Sequence, residues 1–120
     1  MADAGTLATT AQVLLAIGED ASAAQILETN TNIWILMAES EMEVISKKKG
    51  LVANYGSIPT TYKQWLAMMS SARAAMHGIN ESQGSWQLST SQSKLNVLDT
   101  IWKDGKKQLE DQDVIEAMGL

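Results

Sequence analysis

Few side chains in this sequence could do chemistry, and their spacing argues against most of the reactions they might serve. His77 is the only histidine and lies in an alanine-rich stretch. An imidazole works as a general base when a nucleophile stands ready to be deprotonated. No nucleophile pattern accompanies this one, so it reads as a surface or partly buried structural histidine. Glu39, Glu41 and Glu43 alternate along the chain, which puts 39 and 43 on one face of a helix. Di-metal sites in helical bundles use Glu-x-x-His on two helices, and no such pair occurs. These carboxylates read instead as a solvated, ion-pairing face.

Other short patterns fail on position. Asp111-Gln112-Asp113 begins like a calcium loop, but the sixth position is Glu116 rather than glycine, and no twelfth-position glutamate follows. Neither common glycine-rich phosphate loop is present. Asn80-Glu81-Ser82 matches the glycosylation triplet, which has meaning only on an exported chain. Without cysteine there is no disulfide, zinc–thiolate site or thiol catalysis. The expectation is a protein with no catalytic residues, no cofactor and no metal. Lys47, Lys48, Lys49, Lys106 and Lys107 are the side chains able to face nucleic acid, although a lysine run at a helix end commonly serves its dipole.

Charge and composition narrow the classes further. Nine basic and fourteen acidic residues give a net charge of −5, the wrong sign for a dedicated nucleic-acid binder. The 120 residues make one domain, and 45% apolar with 19% charged residues is a soluble, globular balance. No run approaches the ~18 consecutive apolar residues of a membrane span. The short run Val13-Leu14-Leu15-Ala16-Ile17 follows Asp3 with no Lys or Arg before it, so it reads as mature protein rather than a signal peptide. There is no Phe, yet there are four Trp (Trp34, Trp65, Trp86, Trp102) and seven Met. Both residue types fill cores, and both are enriched where one surface packs on another.

The elements that must carry these residues are helical. Residues 1–8 form a small, polar arm. A short helix over 9–17 stops at Gly18. A second runs over about 21–49 with Ile26, Leu27, Ile33, Trp34, Met37, Val44 and Ile45 as its apolar stripe, and Asn30-Thr31-Asn32 predicts a kink or break. A third begins near Pro59 and carries Tyr62, Leu66, Met69, Arg73, Met76 and Ile79, with alanines that admit a close neighbour. A fourth begins near Ser89, where Ser89 to Gln92 fits a capping box, and lines up Leu95, Leu98, Ile101, Trp102 and Leu109. Gly105 sits inside that face, where it either weakens the helix or lets another helix close in. No strand-period segment of useful length appears. The fold class is all-α: a small bundle of three main helices with a short N-terminal helix and an extended C-terminal tail over 110–120. Trp34, Met37, Leu66, Met69, Leu98 and Ile101 are expected among the most buried residues.

Four stretches, in this order, resemble the head-to-tail connector (adaptor) proteins of tailed bacteriophages: TTAQVLLAIGEDASA, TNIWILMAESEMEVIS, LVANYGSIPTTYKQWL and SQSKLNVLDTIWKDGKKQLEDQDVIEAM. Together they span most of residues 9–118, and the likeness is one of pattern rather than of a sharp motif. It implies a virion structural protein in the neck between head and tail, assembled in the host cytoplasm. Such proteins form a closed ring, typically of about twelve copies, beneath the portal. The implied partners are identical subunits, the portal protein, tail or nozzle proteins, and genomic DNA passing without sequence-specific binding. An acidic channel wall would keep DNA from sticking. The competing class is a small cytoplasmic helical module that binds a protein partner. Val114, Ile115, Met118 and Leu120 place four large apolar side chains after an acidic turn. Read with the resemblance, they are the expected contact with the portal or a neighbouring subunit; the alternative is a tail that folds back on its own domain.

Overall fold

A computed structural model gives the architecture and describes residues 5–18, 28–46, 50–81 and 88–119. Five helices account for most of them: α1 (Thr10–Ile17), α2 (Glu28–Ile45), α3 (Thr60–Glu81), α4 (Leu88–Leu109) and α5 (Gln112–Ala117). A single turn of 3-10 helix, Tyr55–Ser57, lies between α2 and α3. No strand occurs among the described residues. The Cα radius of gyration is 14.2 Å, close to the ~13.6 Å of a folded globule of this length.

Local chemistry sets the helix ends. Thr9 caps α1 with a reciprocal pair of hydrogen bonds. Its hydroxyl accepts from the Gln12 N–H at 3.2 Å, and its own N–H donates to the Gln12 side chain at 2.9 Å. At the other end, Gly18 adopts a φ of 95°, open to glycine at little cost, and donates its N–H to Leu14. Pro59 stands just ahead of α3, and its carbonyl accepts from the N–H groups of Tyr62 and Lys63. Asp111 caps α5 by accepting from Asp113 N–H at 2.9 Å. The fourth helix is described from Leu88 onwards, and the capping box expected over Ser89 to Gln92 rests on side chains outside the described residues.

α3 is the central element, packed against α1, α2 and α4. Two glycines let its neighbours come close. A Cβ at Gly78 would stand 2.8 Å from the Trp34 ring of α2, and one at Gly105 of α4 would stand 2.7 Å from the Met69 sulfur. The ring of Trp34 therefore lies against α3 backbone, and α4 presses its own backbone onto Met69. Gly105 takes the second of its two sequence readings, that of admitting a neighbour. Ala72, Ala74 and Ala75 are buried, consistent with an α3 surface kept small for close contact.

Several expectations need correction. Asn30, Thr31 and Asn32 lie within the first turns of α2 without a break, and Thr31 and Asn32 are buried with partners engaged. Burial against the bundle outweighs their weak helix propensity. Met37 is exposed, and Ile101 is only partly buried, whereas Trp34, Leu66, Met69 and Leu98 are buried as expected. Nor is the N-terminal arm a free polar segment, because Leu7 and Ala8 enter the core. The largest difference is at the C-terminus. Residues 112–117 form α5, and Ile115 and Met118 are each only 1% exposed, inside the chain's own core. An acidic turn ended α4 as expected, but Asp111 then restarted a helix that folds back. The calls on Ile26, Leu27, Trp86, Lys47, Lys48, Lys49 and Leu120 fall outside the described residues.

Candidate functional site

Three glutamates two residues apart on α2 are turned about 200° from one to the next, so each meets a different neighbour. Glu39 is only 4% exposed, and its Oε2 accepts from the backbone N–H groups of Thr6 (2.6 Å) and Leu7 (2.9 Å). It pins the N-terminal segment to α2. Glu43 accepts from the Val52 N–H at 2.9 Å and ties the connector after α2 back onto it. The solvated face expected of these carboxylates is thus replaced by two backbone clamps. Each carboxylate is hydrogen-bonded within the chain, as the burial of Glu39 requires.

Glu41, between them, belongs to a charged cluster. Its Oε2 accepts from Arg73 Nε at 2.9 Å and Nη2 at 2.8 Å, and its Oε1 lies 2.6 Å from His77 Nε2. Arg73 and His77 are four residues apart on α3 and so share a face. The Arg73 guanidinium also lies over the Trp102 ring of α4, 5.1 Å from its centroid. Burial alone would raise the Glu41 pKa, but hydrogen bonds from Arg73 and His77, with their charges, outweigh it and hold the carboxyl below the usual glutamate range. The Glu41 carboxylate joins α2 to α3, and the Arg73 guanidinium carries the cluster on to α4. His77 is partly buried, with the Glu41 carboxylate as its partner.

This cluster borders an open cleft of about 470 Å³, lined by Ser40, Glu41, Val44, Ile45, Arg73, Trp102 and Lys106. Its walls are largely apolar, with Lys106 among the lining residues. Continuous with it along α2 runs an apolar stripe that faces water: Ile33, Leu36, Met37 and Val44, the last 68% exposed. A second cleft gathers Thr61, Tyr62, Trp65, Gln108 and Val114 near the α5 end of the bundle.

The sequence-derived site residues are therefore scattered. Lys106 borders the first cleft, and Lys107 is exposed beside it in the last turn of α4. Val114 is half-buried in the second cleft, while Ile115 and Met118 are in the core and cannot project to a partner from this fold. Sequence reasoning missed the outer stripe of α2 because it merged Ile33, Met37 and Val44 with the core stripe. The signal was present in Ile33-Trp34-Ile35-Leu36-Met37-Ala38, six apolar residues in a row, which cover more than one face of a helix. Among the described residues, no three His, Asp or Glu side chains gather as metal ligands, and no helix is long and apolar enough to cross a membrane. No family profile, curated protein or solved structure matches the chain.

Proposed function

We propose that this chain is a structural, protein-binding subunit: a head-to-tail adaptor that assembles as a ring beneath a phage portal and extends its DNA channel towards the tail. The observation that carries the protein-binding part is the solvent-facing apolar stripe of α2 with its adjoining cleft. Contiguous apolar surface on a small acidic chain is the physical mark of a surface meant to be covered by protein. The adaptor identity draws on the resemblance of four sequence stretches to that family, and the net charge of −5 suits a wall that DNA passes without adhering. Within this reading the bundle is one ring segment, and portal contact falls to surface other than Ile115 and Met118. Lys106 and Lys107 are the described basic positions nearest to a DNA-facing role.

The test is co-expression with candidate portal proteins, followed by light scattering and electron microscopy of the complex. A closed ring of many copies on the portal supports the adaptor. A complex with one or two copies, or tight binding of random duplex DNA by the isolated chain at physiological salt, overturns it. The same stripe and cleft also suit a small cytoplasmic interaction module, in which one helix of a partner fills the cleft. That alternative gains if the chain binds a single partner and never enters a ring.

A further inference from the structure

The cleft beside Glu41 has the opposite charge to the chain that carries it. The molecule is acidic, with a net charge of −5, yet the charged side chains lining this cleft are Glu41, Arg73 and Lys106. With His77 neutral, that is two positive charges against one negative. The carboxylate is already engaged at both oxygens, Oε2 by Arg73 Nε and Nη2 and Oε1 by His77 Nε2. The cations have donors left over. Among the described residues, Arg73 Nη1 has no hydrogen-bond partner, and Lys106 makes no ion pair, not even with Glu110 one turn on.

The fold holds these donors ready. The Arg73 guanidinium is fixed between the Glu41 carboxylate and the Trp102 ring, so an incoming anion meets a group already held in place. Val44, Ile45 and Trp102 line the same space, and apolar walls concentrate the field of the charges among them. Nor does the dipole of α4 explain where Lys106 points. Lys107 lies in the same last turn and serves that helix end from outside the cleft.

We propose that this cleft is an acceptor site for a carboxylate carried among apolar side chains, an Asp or Glu on an otherwise apolar segment of a partner protein. The inference rests on the cleft being protein-binding surface and adds what the partner must bring. An open cleft would leave a small anion mostly in water, whereas binding pockets enclose most of their ligand. A peptide segment lying along α2 covers the cleft and its apolar walls together. Duplex DNA is the poorer match, since its phosphates would find no apolar counterpart and would approach a chain of net charge −5.

The probes are two leucine-rich amphipathic helical peptides that differ at one site, glutamate or glutamine at the centre of the apolar face. Each is titrated into the isotope-labelled full chain and followed by amide NMR. The glutamate peptide should bind at least about fivefold more tightly and shift the amides of Ser40, Val44 and Lys106. The difference should shrink at about 0.5 M salt, where exposed charges are screened. Lys106→Glu should reverse the preference. Lys94→Glu changes the net charge equally from the α1 end of the helix, about 18 Å away, and should preserve it. Equal affinities overturn the carboxylate site and leave the protein-binding reading standing. Binding of neither peptide at about 1 mM, shifts confined to other surfaces, or a preference untouched by Lys106→Glu overturns it too. So does displacement of the peptide by random duplex DNA at physiological salt. A chain that prefers the glutamate peptide but forms no ring on a portal loses only the adaptor reading.

Discussion

α2 offers two faces built from nearly the same residues, with opposite fates. Trp34, Ile35, Ala38 and Met42 are sealed against the bundle, while Ile33, Leu36, Met37 and Val44, interleaved with them, face water. Hydrophobicity does not separate the two sets. What separates them is fit. The inner face meets a surface cut to receive it, with Gly78 clearing space for the Trp34 ring and Glu39 drawing residues 6 and 7 over its flank. The outer face has only an open cleft beside it. Burial of an apolar side chain is thus decided by what lies opposite, and an apolar face without a partner in its own chain is a surface for another.

The contrast is breakable in order of expected size. Removing residues 111–120 takes away Ile115 and Met118, each worth roughly 1.5–3 kcal/mol of burial. A loss of about 3–6 kcal/mol should appear as a collapse of the urea midpoint; unchanged melting would mean that α5 merely rests on the bundle. Trp34→Ala on the inner face should cost about 3–5 kcal/mol, since the helices cannot close around the lost ring. Glu39→Ala should cost about 2–4 kcal/mol by stranding two backbone donors, with hydrogen exchange at Thr6 and Leu7 as the direct readout.

Smaller effects belong to the exposed side. Glu41→Gln should cost about 1 kcal/mol or less near neutral pH, because the ion pair is partly solvated. Its folded pKa is held below the ordinary value near 4.5. The stability it contributes is therefore present above that value and lost as pH falls through the lower, folded one. Comparing acid unfolding of the variant with the parent checks the sign: the gap between them should close below pH 4.5. Least of all, Val44→Asp should change stability by no more than about 0.5 kcal/mol. A cost comparable to that of Trp34→Ala would show that the outer face is core after all.

Much of this was legible beforehand, and the failures have physical causes. Thr9 and Gly18 bracket α1 because a cap and a stop act through near neighbours, so the first helix was readable to within a residue. The buried Leu66, Met69 and Leu98 followed from three-and-four spacing. Met37 failed because the apolar run through residues 33–38 wraps the helix, and spacing alone cannot rank faces that are both apolar. Ile115 and Met118 failed because closeness to the end of a sequence says nothing of where a short helix can fold back. The cleft escaped notice because its walls come from residues 40–45, 73 and 102–106, which share no local pattern.

Helix content, helix ends and the absence of a cysteine framework were determined by the sequence itself, since each depends on neighbours within a few positions. The tertiary structure alone decided that three alternating glutamates serve a segment clamp, an ion-pair cluster and a connector clamp. It alone decided that Gly78 and Gly105 are contact points and that one of two apolar faces on α2 stays in water. Apart from the Glu43–Val52 clamp, nine positions long, those outcomes depend on distances between residues more than 30 positions apart, such as Glu41 and Arg73. A one-dimensional pattern carries the residue types but not the approach of one helix to another, and the approach is what assigns each side chain its partner.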